Sequence, residues 1–212
     1  MITISAFAWA PDFAKGQVRD LRVRWALEEA GIPYRSRLLA QGDQNKPEYR
    51  ALQPFGQVPI FDEDGFVLFE TGAIVLYVGE RSETLLPKDP QKRARATQWL
   101  VAALNSLEPF IMQVAVLDIF YSNEEWAKLR KPSATQFAEW RLKCLADKLG
   151  DKPYLDGDSF TAGDLMMATV LRIMPELTNG QPALTKYVER CTARPAFKRA
   201  YDAQMGDFKQ AA

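Results

Sequence analysis

With 212 residues, 47% of them hydrophobic and 25% charged, the chain has enough apolar material for a folded core, gives no compositional case for disorder, and exceeds the commonest single-domain size, so two domains are expected. Lysine plus arginine equals aspartate plus glutamate at 27 each, so no net field draws the protein to nucleic acid or an anionic membrane, and small ligands and protein partners are expected instead. Histidine is absent, which excludes Ser/His/Asp and Cys/His catalysis and removes the commonest metal ligand.

Met1 to Trp9 has neither the basic region nor the long apolar run of a signal peptide, and no stretch approaches the length of a membrane span. Cys144 and Cys191 lie far apart in apolar helical patterns and read as buried free thiols, so a reducing cytoplasm is the expected compartment. The alternation from Ile2 to Phe7 predicts a first strand, broken by Pro11 and Asp12. Val18, Leu21 and Trp25 form one helical stripe and Val23, Leu27 and Ala30 a second, so the next helix packs on two sides; Gly31 ends it and Pro33 leads into an extended segment, Tyr34 to Leu39. Val58 to Phe61 and Phe66 to Phe69 read as a hairpin around Asp64-Gly65, and Ile74, Val75, Tyr77 and Val78 as a helix. Residues 1–81 therefore form a small α/β domain, with 82–91, carrying two prolines, as linker.

In 92–212 the pattern is helical throughout. One long helix runs through Leu100, Ala103, Leu104, Leu107, Ile111 and Val114; a second carries Phe137, Trp140 and Cys144 with Ala138, Leu142 and Leu145. Thr161 to Leu177 and Thr185 to Met205 read as further helices, the last interrupted at Pro195. Thr161 with Asp164 is a capping box, flanked by Phe160 and Leu165 as a hydrophobic staple; its role is structural.

Several of these segments together resemble the glutathione transferase superfamily: Gln57-Val58-Pro59 followed by the hairpin and Phe69-Glu70-Thr71, the run Val23 to Tyr34, Asn45 to Tyr49, Gln53-Pro54-Phe55-Gly56, and the box at Thr161. The resemblance implies a thioredoxin-like N-terminal α/β domain followed by an all-α helical bundle, a homodimer, and conjugation of glutathione to a small apolar electrophile, with glutathione as co-substrate, no metal or further cofactor, and neither nucleic acid nor membrane as partner. It further implies that Pro59 is cis and exposes the backbone of Val58 to the cysteinyl unit, and that Glu70 and Thr71 take the γ-glutamyl ammonium and carboxylate. The strand-to-helix position of Glu70 and Thr71 suits an anion on physical grounds, although both would also simply complement a helix terminus. Gln57 is either a donor to the tripeptide or a solvated turn residue, and Lys46 and Gln44 either reach the glycyl carboxylate or belong to a solvated loop.

The chain departs from the family at the thiolate. Where familiar members place a Tyr, Ser or Cys, the alternative registers put Phe13 or Gln17, neither with a hydroxyl or thiol. Arg19, at the start of the first helix, is then the expected thiolate stabiliser, with the alternative that it is a solvated helix arginine like Arg22 and Arg24. Trp9 and Phe13 either line an apolar pocket or belong to the core, core being favoured for Trp9. Two other functions stay open: a non-catalytic glutathione-binding or interaction module, and a glutathione-dependent disulfide reductase, the latter disfavoured because neither cysteine lies in the N-terminal domain.

Overall fold

The structure, a computed structural model, describes residues 1–210. It divides into two compact units, one of Met1–Leu86 together with the chain from Ala193 onward, the other of Pro87–Thr192.

In the first unit, β1 (Ile2–Phe7) lies between β2 (Tyr34–Leu39), parallel to it with Ile2 opposite Tyr34, and β3 (Phe61–Glu63), antiparallel with Ile4 opposite Phe61; β4 (Phe66–Leu68) completes the order β2-β1-β3-β4. Within Met1–Leu86 the helices are α1 (Asp20–Ala30), the single turn α2 (Pro47–Arg50) and α3 (Thr71–Gly79). Ile4, Ser5 and Ala6 are consecutive and all buried, because the central strand is covered on both faces. Asp64 and Gly65 both have positive φ, the geometry a two-residue hairpin demands. The expected strand Val58 to Phe61 begins only at Phe61; Val58 and Pro59 precede it as a cis pair, although Ser5 N–H still reaches the Ile60 carbonyl at 2.9 Å. Gly31, with φ 66°, closes α1 by donating to carbonyls one turn back, as its place in the sequence predicts.

The second unit contains α4 (Pro90–Ala102), continued through a π-helical turn at Ala103–Leu107 into α5 (Glu108–Ile119), then α6 (Glu125–Leu149), α7 (Ala162–Leu171), α8 (Pro175–Asn179) and α9 (Pro182–Thr192). Every residue of α7 is buried. At its start Thr161 Oγ accepts from Gly163 N–H at 3.2 Å and Asp164 Oδ2 from Thr161 N–H at 2.9 Å, the capping box read from sequence.

Some expectations are corrected. The helix expected over Thr161 to Leu177 breaks into α7 and α8, since Pro175 begins a helix rather than continuing one, while that over Thr185 to Met205 is interrupted at Pro195 as expected, giving α9, which starts earlier at Pro182, and α10 (Pro195–Gln210). Cys191 is buried, but Cys144 is exposed, as are Phe137 and Trp140; Ala138, Leu142 and Leu145 form the inward face of α6. Contrary to expectation, Pro90–Ile119 is long and apolar enough to cross a membrane, with Leu100, Ala103, Leu107, Ile111 and Val114 of that stretch in the core of the second unit. The compact units are also cut differently from 1–81, 82–91 and 92–212. Leu85 and Leu86 are buried against Gly79, and α10 packs along α1, so both belong with the sheet. Trp25 meets Phe197 edge-on at 4.9 Å, and Glu29 and Glu28 bind Arg194 and Arg199, each at 2.6 Å.

Candidate functional site

The segment Gln57 to Ile60 is held from beneath by two residues that sequence reasoning missed. Ser5, inside β1, accepts the Ile60 N–H on its Oγ at 2.8 Å and lies 2.8 Å from the Tyr49 hydroxyl, which in turn donates to the Gln57 carbonyl at 2.7 Å. A phenol has one proton, so with that proton on Gln57 the Ser5 hydroxyl must be the donor to Tyr49. The result is a directed chain, Ile60 to Ser5 to Tyr49 to Gln57, that fixes the backbone on both sides of the cis Val58–Pro59 bond. Burial pushes the Tyr49 hydroxyl above its ordinary pKa, so it stays protonated and keeps this polarity. Val58 and Pro59 are buried while Gln57 is exposed.

Glu70 and Thr71 join β4 to α3. Glu70 has φ 70° and ψ 113°, outside any region a side-chain-bearing residue prefers, a local cost of about 1 to 3 kcal/mol of the kind that concentrates at functional sites. Its side chain is exposed at the N-terminus of α3, while Ile74 N–H returns to the Glu70 carbonyl at 3.0 Å. The amides of Thr71, Gly72 and Ala73 are therefore those an α-helix leaves without internal partners. Thr71 is buried, and Arg22 from α1, also buried, donates to its Oγ at 3.5 Å, bringing a guanidinium to this corner. Phe55, two residues before Gln57, meets Phe69, the residue before Glu70, edge-on with ring centroids 6.2 Å apart.

The loop with Gln44 and Lys46 also comes to this segment: a Cβ on Gly56, whose φ is 64°, would lie 2.9 Å from the Gln44 carbonyl oxygen. Both side chains are engaged locally. Gln44 Oε1 accepts from Gly42 N–H at 3.0 Å, and Lys46 is paired with Asp43 at 2.7 Å.

Phe13 lies on a 3-10 turn, Asp12–Ala14, and is 59% exposed; Trp9 is equally exposed, so the core expected for Trp9 is not where it lies. Gln17 is half-buried in the loop before α1, and Arg19, half-buried, is the α1 N-cap. Val18 between them packs into the cluster of Val58, Tyr49 and Ile60, which brings this loop to the Val58 segment. Arg19 and the two arginines of α1 divide their tasks. Arg24, 1% exposed, is bound to Asp20 at 2.7 Å and to Asp207 at 2.5 Å; Arg22 faces Thr71; Arg19 stands at the helix start. Burial raises the Asp20 carboxyl above its usual range despite Arg24.

One patch of the first unit thus combines a shaped backbone segment at Val58, an anion-suited helix start at Glu70 and Thr71, and a cationic helix start at Arg19. Together with a separate all-helical unit, this defines a protein of the thioredoxin-like fold carrying a helical second domain. The chain belongs to the glutathione S-transferase family: the family's N-terminal domain model matches residues 14–80 and its C-terminal domain model residues 107–195. It is similar to a glutathione S-transferase of Arabidopsis thaliana, 30% identical over 168 residues that cover 74% of this chain and 75% of the relative, and to one of Hyoscyamus muticus, 28% identical over 174 residues, 76% and 81% of the two chains. Among solved structures, a glutathione transferase family member from Pseudomonas fluorescens, crystallised with two glutathione molecules bound, matches with a TM-score of 0.82 at 23% identity, over 94% of this chain and 92% of that one, a likeness of fold.

Proposed function

We propose that the chain is a glutathione transferase that joins the glutathione thiolate to a small apolar electrophile. The observation that carries this reading is the corner at Glu70 and Thr71, where a strained backbone, three first-turn amides of α3 and the Arg22 guanidinium converge. The γ-glutamyl carboxylate is taken by those amides and the Thr71 hydroxyl, and the α-ammonium by the Glu70 carboxylate. The cysteinyl unit pairs with the backbone of Val58 before Pro59, supported by Gln57. Gln44 and Lys46 serve the glycyl carboxylate, for which the exposed Lys46 exchanges its half-buried Asp43 partner.

Chemistry requires the thiolate. Bringing a free thiol from a pKa of about 8.5 down by two units takes about 2.7 kcal/mol of preferential thiolate stabilisation. Arg19 contributes a full positive charge where the α1 dipole adds roughly half of one, and the backbone near Gln17 and Val18 supplies N–H donors. Phe13, exposed beside them, offers an apolar face to the electrophile. A homodimer and a cytoplasmic location accompany this reading. A second reading, a glutathione-binding module without turnover, is favoured by one observation: Phe13 and Gln17 provide neither hydroxyl nor thiol.

Calorimetry with glutathione and an aryl halide conjugation assay test both. Binding with conjugation is expected; binding without it favours the module, and no binding at millimolar glutathione overturns the assignment.

A further inference from the structure

The last helix lies along the loop that carries the reactive end. Tyr201, Gln204 and Asp207, spaced by three, share one face of α10 and meet successive parts of the segment from Gly16 to Arg24. Gly16 has φ 75°, and a Cβ there would lie 2.5 Å from the Tyr201 ring, so the loop backbone rests directly on that ring. Gln204, 1% exposed, donates through Nε2 to the Val18 carbonyl at 3.1 Å and to Asp20 Oδ1 at 2.8 Å. Asp20 passes the constraint through Arg24 to Asp207, back on α10.

The bond to Val18 has a geometric consequence. The Val18–Arg19 peptide is planar and trans, so its C=O and N–H point in opposite directions. With the carbonyl held toward α10, the Arg19 N–H is directed away from it, and the start of α1 is set with it. The bond satisfies the buried Gln204 amide and also fixes the backbone of the residues around Arg19.

We infer that α10 positions the reactive end of the site, with Gln204 and Tyr201 as positioning residues that aim the Gln17–Arg19 backbone and the Arg19 charge at the glutathione sulfur. The inference rests on the transferase reading given above. A displacement of one ångström at a reacting centre can reduce turnover about 100-fold, so a side chain that touches no substrate can govern rate. Loosening this loop should raise the pKa of the bound thiol and lower kcat while the tripeptide contacts at Val58, Glu70 and Thr71, and hence KM, persist.

The test uses the full chain with Gln204→Met, which keeps length and loses the donor, and Tyr201→Leu, a milder change that serves if the first variant folds poorly. Arg199→Gln is the control, breaking a tie of the same helix to Glu28 at the far end of α1. Thiolate absorbance of bound glutathione is titrated in each protein, with kcat and KM for an aryl halide. Expected for either positioning variant is a thiol pKa raised by about one unit and kcat lowered about tenfold, with KM within about twofold, and no change in Arg199→Gln. If the wild type binds and conjugates glutathione while both variants titrate like it, or if Arg199→Gln shifts the thiol equally, the positioning role is overturned and the functional reading stands. If the wild type does not bind glutathione, both fall.

Discussion

Tyr49→Phe should loosen the Gln57 to Ile60 segment, proposed above to bind glutathione, without touching any ligand. The substitution deletes one hydroxyl and two hydrogen bonds, from Ser5 and to the Gln57 carbonyl. The Gln57 side recovers water, since that residue is exposed, and loses the net value of one bond, about 0.5 to 1.5 kcal/mol. The Ser5 hydroxyl, in a residue 1% exposed, is left with a proton and no acceptor, a further loss of about 1 to 3 kcal/mol. A total of about 1.5 to 4.5 kcal/mol follows. Ser5→Ala alone strands the Ile60 N–H instead, about 1 to 3 kcal/mol. In the double variant the hydroxyl that Tyr49→Phe strands no longer exists, so the pair should cost about 1 to 3 kcal/mol less than the sum. Urea denaturation of the four proteins measures the cycle, and calorimetry should show glutathione affinity falling about three- to tenfold in Tyr49→Phe. Additivity within about 0.3 kcal/mol would refute the directed chain; unchanged affinity would refute its link to the binding edge.

Glu70→Gly should separate stability from function: glycine adopts φ 70° without strain, so the fold gains about 1 kcal/mol, while loss of the carboxylate weakens glutathione binding by about 1.5 to 3 kcal/mol, both readable by thermal denaturation and calorimetry. Arg19→Ala should raise the thiol pKa of bound glutathione and reduce turnover more than binding, with the rate recovering at a pH well above about 8.5; superimposable thiolate titrations would reject Arg19. The Glu63 carboxyl is lowered to about 2, chiefly by its hydrogen bond from Arg81. Because that folded value lies below the ordinary one, the stabilisation is present at neutral pH and is lost as pH falls from the usual glutamate range toward 2, so Glu63→Gln should flatten this part of an acid denaturation profile. Asp164→Ala removes the acceptor of Leu155 N–H, Thr161 N–H and the Thr161 and Tyr187 hydroxyls, all buried, and should destabilise by about 3 to 5 kcal/mol in urea titrations.

What was legible in the sequence was local. Gly31 before Pro33, Asp64-Gly65 between apolar runs, and Thr161 three residues before Asp164 each state their geometry within one turn of chain, and each is found as read. The sorting of cations was not legible, because Arg19, Arg22 and Arg24 differ only in which distant elements face them: Thr71 for Arg22, and α10 for Arg24. Ser5 and Tyr49 were equally hidden, being 44 residues apart and outwardly an ordinary strand serine and an ordinary apolar tyrosine. The faces of α6 were misjudged for a related reason. Two stripes one residue apart are both apolar, and periodicity alone did not say that Ala138, Leu142 and Leu145 point inward while Phe137, Trp140 and Cys144 do not.

Gly163, inside the capping box, gives that motif a reach beyond its own helix. A Cβ at this position would lie 2.5 Å from Trp99 Cβ and 3.0 Å from the Ala96 carbonyl oxygen, atoms that no side-chain rotation can move aside. The first turn of α7 is thus also the place where its backbone touches α4. Residues that tell the chain where a helix begins are the same residues that tell it where the neighbouring helix must lie, so α7 cannot start one residue early or late without lifting off α4. In effect the register of α7 against α4 is written at this locus, and a graft or permutation that preserves Thr161, Gly163 and Asp164 opposite Ala96 and Trp99 should carry that register with it.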